Sequence, residues 1–331
     1  MLKKTKTKPG LVVITGASAG VGRACVRTFA RNGYDVAMLA RDKARLETAK
    51  REVEALGQNA IYRIVDVADA GAVDMAATEI EQELGPIDVW VNNAMNSVFS
   101  PVREMQPDDY KRVTEVTYLG QVYGALAALK RMRPRNRGKI VFVGSALAFR
   151  GIPLQSAYCA SKHAVEGFYG SLRAELLHDN SRVRISAVHL PALNTTQFGF
   201  VKSRLTNRAR PMGTIFQPEV AADAILYAAR HDRRTIYVSW STIQVVIGSR
   251  LFPVLVDHIL ARTGYDGQQT DEPEDPNRKH NLWEPVPGDY GAHGEFDDQA
   301  MGCSLQLWMS KNKGYVLGGA ALALAGFLLG K

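Results

Sequence analysis

The feature that most constrains this chain is a glycine-rich turn, Thr15-Gly-Ala-Ser-Ala-Gly-Val-Gly22, set between an apolar run at 11–15 and an amphipathic stretch at 21–32. The run is bounded by Pro9 and Gly10 and reads as a buried strand. The stretch after the turn puts Val21, Cys25 and Phe29 on one face and closes at Gly33, as a helix does. A strand that passes through glycines straight into a helix opens a parallel crossover unit. Gly16, Gly20 and Gly22, with Ser18 and Val21 in the same turn, let the backbone bend tightly. They also let the free amides and the dipole of the helix N-terminus approach an anion such as a pyrophosphate.

The alternation continues along the chain. Strand-like runs at 34–40, 60–67, 87–93, 139–145, 183–189 and 235–239 are separated by helix-like stretches at 43–56, 70–84, 107–132, 157–177 and 219–230. This spacing predicts an α/β protein with a doubly wound, mainly parallel, Rossmann-like sheet of about seven strands. In the helix at 107–132, Val113, Thr117, Gly120 and Gly124 form one stripe, small enough for close packing or for a homologous helix partner. Beyond residue 239, Val246, Leu251, Phe252, Leu255 and Ile259 recur near helical spacing with Pro253 interrupting them. That pattern predicts an extra helical element, broken near Pro253 and packed on the active-site side.

Composition divides the chain into a lysine-rich tail at 1–9, the alternating body at 10–264, an acidic Pro- and Gly-rich segment at 265–310 and an apolar end at 311–331. The tail has no apolar core behind it and reads as solvated rather than as a secretory signal. Residues 265–300 carry ten acids against two bases, so the positive excess behind the net charge of +8 lies in the body. A basic body suits an anionic partner such as a phosphorylated cofactor or a membrane surface. No nucleic-acid-binding signature accompanies the charge, so nucleic acid is not expected as a partner. The acidic segment lacks periodicity and reads as a linker with little structure. Cys25, Cys159 and Cys303 are too few and too scattered for a disulfide framework or a zinc site; no metal is expected, and a reducing compartment fits.

The chemistry is concentrated in Ser156-Ala-Tyr-Cys-Ala-Ser-Lys162. Tyr158 and Lys162, four residues apart, share a helix face, so the ammonium falls beside the phenol and is expected to lower its pKa. Taken together, the glycine turn, Asn92-Asn93-Ala94, Gly144-Ser145 and this pair resemble the short-chain dehydrogenase/reductase family over roughly residues 10–240. The resemblance implies an oxidoreductase that interconverts a carbonyl and an alcohol by hydride transfer. Tyr158 would be the general acid or base, Ser145 would stabilise charge on the substrate oxygen, and Lys162 would serve both Tyr158 and the nicotinamide ribose. It also assigns the adenine edge to Asp66 and Val67, the adenosine ribose to Asn93 and the nicotinamide carboxamide to Asn194 and Thr196. Where the family usually completes a catalytic tetrad with a helix asparagine that anchors a water near the lysine, this chain has Thr117, whose hydroxyl can still bond water or a backbone carbonyl; Met95 and Ala192 stand where glycine is usual.

At the end of the second strand the family's ribose-binding acid is replaced by Ala40, with Arg41 following, which favours NADP(H) over NAD(H); the alternative is that Asp42 holds the ribose. The loop at 192–217 mixes Phe198, Phe200, Val201, Leu205 and Met212 with Lys202, Arg204, Arg208 and Arg210, as would suit a small, lipophilic carbonyl or alcohol carrying an acidic group. A catalytically silent cofactor-binding or regulatory protein is the alternative to an enzyme. By resemblance a homodimer is expected through the helices at 107–132 and 157–177. Residues 315–330 carry no charge and are bracketed by Lys311, Lys313 and Lys331. A helix of that length spans about 24 Å against a hydrocarbon core of about 30 Å. With Trp308 as an interfacial residue, it reads as a transmembrane tail anchor on a cytoplasm-facing enzyme, a bundle helix being the rival.

Overall fold

The computed structural model describes residues 10–314. Seven strands form one sheet: Leu11–Thr15 (β1), Asp35–Ala40 (β2), Ala60–Ile64 (β3), Ile87–Asn92 (β4), Lys139–Ser145 (β5), Arg184–Leu190 (β6) and Thr235–Tyr237 (β7). Their order is β7-β6-β5-β4-β1-β2-β3, and every pairing in it is parallel. The strand order reverses beside β1, where the carboxyl ends of β1 and β4 part and leave a crevice for a ligand.

Both faces of the sheet are buried, which is why its strands read as continuous apolar runs. Val12 and Ile14 point to a core shared with Cys25, Phe29, Leu46 and Ile225, under the helices Gly20–Arg31 (α1), Lys43–Ala55 (α2) and Pro218–Arg230 (α7). Leu11 and Val13 point the other way, to Ile80, Leu129, Val165 and Leu172 on Ala70–Leu84 (α3), Gly120–Met132 (α5) and Ser156–His178 (α6).

The long helix expected at 107–132 is interrupted. Pro107–Thr114 (α4) leads through a π turn, Glu115–Leu119, into α5. Its stripe of small residues faces inward: an added Cβ would come within 2.7 Å of Val67 Cγ2 at Gly120 and 2.1 Å of Asn92 Oδ1 at Gly124. Those glycines therefore serve close packing on the sheet.

After β7 the chain forms Trp240–Leu251 (α8) and, from Pro253, Pro253–Thr263 (α9), matching the expected break at that proline. The packing is looser than expected: α8 buries Thr242 and Val246, and α9 buries no residue. The reading of 265–310 as a structureless linker needs correction. Gln269–Pro273 pairs antiparallel with Asn207–Ala209, and Leu305–Lys311 forms a further helix (α10). Leu282, Ala292, Phe296 and Leu307 are buried against the body. Composition misled here because the segment's acids neutralise basic residues of the body, as in Arg208 with Glu272 and Glu295, and Lys311 at its end pairs in turn with Asp223 of α7. Among the described residues no helix is long and apolar enough to cross a membrane; the candidate anchor at 315–330 lies outside them.

Candidate active site

A cavity of about 490 Å³ opens at the carboxyl ends of β1, β2, β4, β5 and β6. Ser145 ends β5, and Tyr158 and Lys162 stand one turn apart on α6; all three line the cavity. Gly144 must be glycine because a Cβ there would lie 2.5 Å from His189 Nδ1. His189 is fully buried, stacked on Tyr237 and edge-on to Phe149, and burial pushes its pKa down to about 4, so it stays neutral.

Lys162 Nζ donates to the Val143 carbonyl at 2.7 Å and lies 5.6 Å from the centre of the Tyr158 ring. The expected lowering of the Tyr158 pKa is not what this environment produces. Burial pushes the phenol up, and a hydrogen bond with Ser145 only partly opposes it. Burial also lowers Lys162, to about 7, against the pull of Glu166. A phenol placed this way keeps its proton at neutral pH and can give it to an oxygen beside Ser145.

The opposite end of the cavity is formed by the glycine turn. Gly16 and Gly20 have φ of +65° and +54°, and a Cβ on Gly22 would sit 2.0 Å from the Gly16 carbonyl oxygen. A side chain at any of the three would fill the cradle or strain it, which is the fit a dinucleotide's pyrophosphate needs. Asn93 fixes the cradle from below: its Nδ2 donates to the Thr15 and Gly16 carbonyls at 2.9 and 3.3 Å, and its amide to Thr15 Oγ1 at 2.9 Å.

Gly16, Ser18, Gly20, Val21, Arg41, Asp66, Val67, Asn93 and Thr196 all line the cavity together with Ser145, Tyr158 and Lys162. Gly22 lies behind the turn. Asn194, expected at the nicotinamide carboxamide, does not line it, and that expectation is corrected; Thr117 stands behind it as well. Asn194 is fully buried; its Nδ2 donates to Asp297 at 2.8 Å and Gln217 at 3.1 Å, and its Oδ1 accepts from the Phe296 amide at 3.0 Å. Thr117 Oγ1 donates to the Asn96 carbonyl at 2.9 Å and accepts the Asn96 amide at 3.0 Å. Its hydroxyl thus stitches the loop after β4 to the π turn.

Asp66 accepts from the Ala68 amide at 3.0 Å and pairs with Arg112. Arg41 donates to the carbonyls of Trp283 and Asn281, at 2.5 and 2.6 Å, and so meets chain from the C-terminal segment. Sequence reasoning missed that segment entirely, and with it Arg45 and Arg112. The one available signal was that Arg45 follows Arg41 by a single helical turn.

At the substrate end the walls include Leu147, Ile152, Leu193, Phe198, Met212 and Leu260. The four cations expected to meet an acidic substrate group are committed elsewhere. Lys202 and Arg204 pair with Asp109, Arg208 with Glu272 and Glu295, and Arg210 Nη2 donates to Gln299.

The sequence profile of the family described as short chain dehydrogenase matches residues 10–204. An uncharacterised oxidoreductase of Bacillus subtilis, YxnA, is 32% identical over 86% of this chain and 80% of its own length. Among solved structures, an alcohol dehydrogenase of Thermococcus sibiricus complexed with 5-hydroxy-NADP superposes with a TM-score of 0.60 at 26% identity, over 69% of this chain and 94% of that one. A short-chain dehydrogenase of Mycobacterium paratuberculosis bound to NAD gives 0.61 at 23% identity, over 71% of this chain and 97% of that one, which is a likeness of fold.

Proposed function

The chain belongs to the short-chain dehydrogenase family, and from that premise we propose that it is an NADP(H)-dependent oxidoreductase interconverting an apolar carbonyl compound and the corresponding alcohol. The bound nicotinamide would supply or accept the hydride. Tyr158 gives its phenolic proton to the carbonyl oxygen in reduction and takes it back in oxidation, while Ser145 donates a hydrogen bond to the same oxygen. Lys162, anchored on the Val143 carbonyl, stands one helical turn from that proton, and burial lowers its pKa to about 7. The turn at Gly16 and Gly20 and the α1 amides beyond Gly20, whose own amide is given to the Gly291 carbonyl, receive the pyrophosphate, and Arg41 receives the phosphate that distinguishes NADP(H) from NAD(H).

The observation that carries this reading is the meeting of Ser145, Tyr158 and Lys162 in the same cavity as the glycine cradle. An intact trio also disfavours a silent binding protein. The apolar lining supports a lipophilic substrate. Assembly as a homodimer belongs to the same reading and rests on family resemblance.

The proposal includes attachment to a membrane through residues 315–330. Two features support it. Leu251, Phe252, Val254, Leu255 and Ile259 stand exposed on α8, α9 and the junction between them, a large apolar surface to leave in water. The described chain also runs toward its end past the start of α8: Gln306 on α10 accepts the Ser239 amide at 2.8 Å.

Tyr158→Phe tests the mechanism. With a substrate found by screening aldehydes, ketones and alcohols, turnover should fall at least about 100-fold, the contribution of a positioned general acid. NADPH affinity should stay within about twofold of the unmodified protein. A variant that keeps full rate removes Tyr158 from the proton transfer.

A further inference from the structure

Residues 281–291 lie across the adenosine end of the cavity and meet its arginines through backbone carbonyls and through two rings, Tyr290 under Arg45 at 4.6 Å and Trp283 under Arg112 at 5.5 Å. Asn281 and Trp283 offer theirs to Arg41 at 2.6 and 2.5 Å, and Leu282 offers its carbonyl to Arg112 Nε at 3.0 Å. Val286 and Gly288 offer theirs to Arg45, the Gly288 contact being 2.6 Å. Gly291 completes the run, its carbonyl accepting the amide of Gly20 at the start of α1 at 3.0 Å. The segment is pinned at one end by Leu282, fully buried among Val98, Met105, Val113 and Ala157. At the other end Ala292 is buried in the core beneath α1 and α7.

We propose that this strap is a specificity element of the cofactor site: its carbonyls fix Arg41 and Arg45 so that their remaining N–H groups face a phosphate on the adenosine ribose. The inference rests on the NADP(H) reading above. A guanidinium has five N–H donors, and the strap engages only two on each arginine. An arginine at the open end of a strand would otherwise sample many rotamers and lose that freedom on binding; holding it beforehand removes this cost. The strap contributes no cation of its own, and its Glu284 and Asp289 act on Arg41 and Arg45 as nearby anions, so a gain in phosphate preference has to come from the arginines' placement.

The test uses the full chain and two probes of the adenosine end, adenosine 2′,5′-bisphosphate and adenosine 5′-monophosphate, titrated by calorimetry. Gly291→Ala strains the strap without a steric clash, because Gly291 has φ +63° and an added Cβ would meet nothing within 4 Å. Leu282→Ala loosens the other end, and circular dichroism identifies folded variants. The unmodified protein should prefer the bisphosphate by at least about tenfold. Each folded variant should retain less than about a third of that preference, with monophosphate affinity changed by less than about twofold.

A preference unchanged in the folded variants overturns the strap's role and leaves the NADP(H) reading intact. A larger preference makes the strap a competitor for Arg41, and equally overturns the proposal. No preference in the unmodified protein removes the NADP(H) reading itself and the strap's role with it.

Discussion

At the scale of single residues, the site depends on groups whose work is done through the backbone. Thr117 is the clearest. A hydroxyl that both donates to and accepts from the backbone of Asn96 closes a ring between the loop after β4 and the π turn, and π turns often mark sites where a helix is bent for function. Thr117→Val keeps the volume but strands a buried amide and a buried carbonyl. The expected cost is about 1–3 kcal/mol, seen as a lower thermal midpoint. A midpoint equal to the unmodified protein's means that those groups find other partners. Tyr158 and Lys162 carry a related lesson. Their spacing was legible in the chain, but the direction of their pKa shifts was not, because burial is set by what α6 packs against.

At the scale of elements, the C-terminal strap is held by a charged contact that pH should reach. His293 lies 2.9 Å from Glu219 on α7 and 3.0 Å from Asp297, and Arg27 is the cation near Glu219. Burial works against its protonation, but the two carboxylates outweigh burial and raise its pKa above 6.5. A raised histidine contributes its stabilisation fully below the unfolded value and loses it as pH rises through the folded one. Amide exchange of residues 281–297, corrected for intrinsic rates, should therefore speed up from pH 6 towards pH 9, and His293→Gln should flatten that dependence. Exchange independent of pH in the unmodified protein means that the contact does not hold the strap.

At the scale of the whole molecule, charge and apolar surface are arranged on one plan. The basic body is partly neutralised by its own acidic extension, so its charge is less available to an outside partner than the sequence suggests. The exposed apolar residues Leu251, Phe252, Val254, Leu255 and Ile259 lie at the end of α8 and on α9. Mixed with vesicles of phosphatidylcholine and phosphatidylserine, the full chain should float in a density gradient, and a chain ending after Gly314 should not. If the shorter chain floats as well, α8 and α9 suffice for attachment; if neither floats, the membrane reading fails.

The sequence by itself determined the order of strands and helices, the parallel sheet and the identity of Ser145, Tyr158 and Lys162. The elements rest on short-range periodicity and on glycines whose need is local, and the three residues on a resemblance to the family's motifs. Tertiary structure alone decided that residues 265–310 wrap the body. It also decided that Arg41 is already held by carbonyls from 240 residues away in the chain, and that Asn194 supports the strap instead of lining the cavity. Backbone carbonyls look the same at every residue, so a segment that binds through them leaves no mark in composition or periodicity. Their partners become visible only when the chain has folded and distant segments meet.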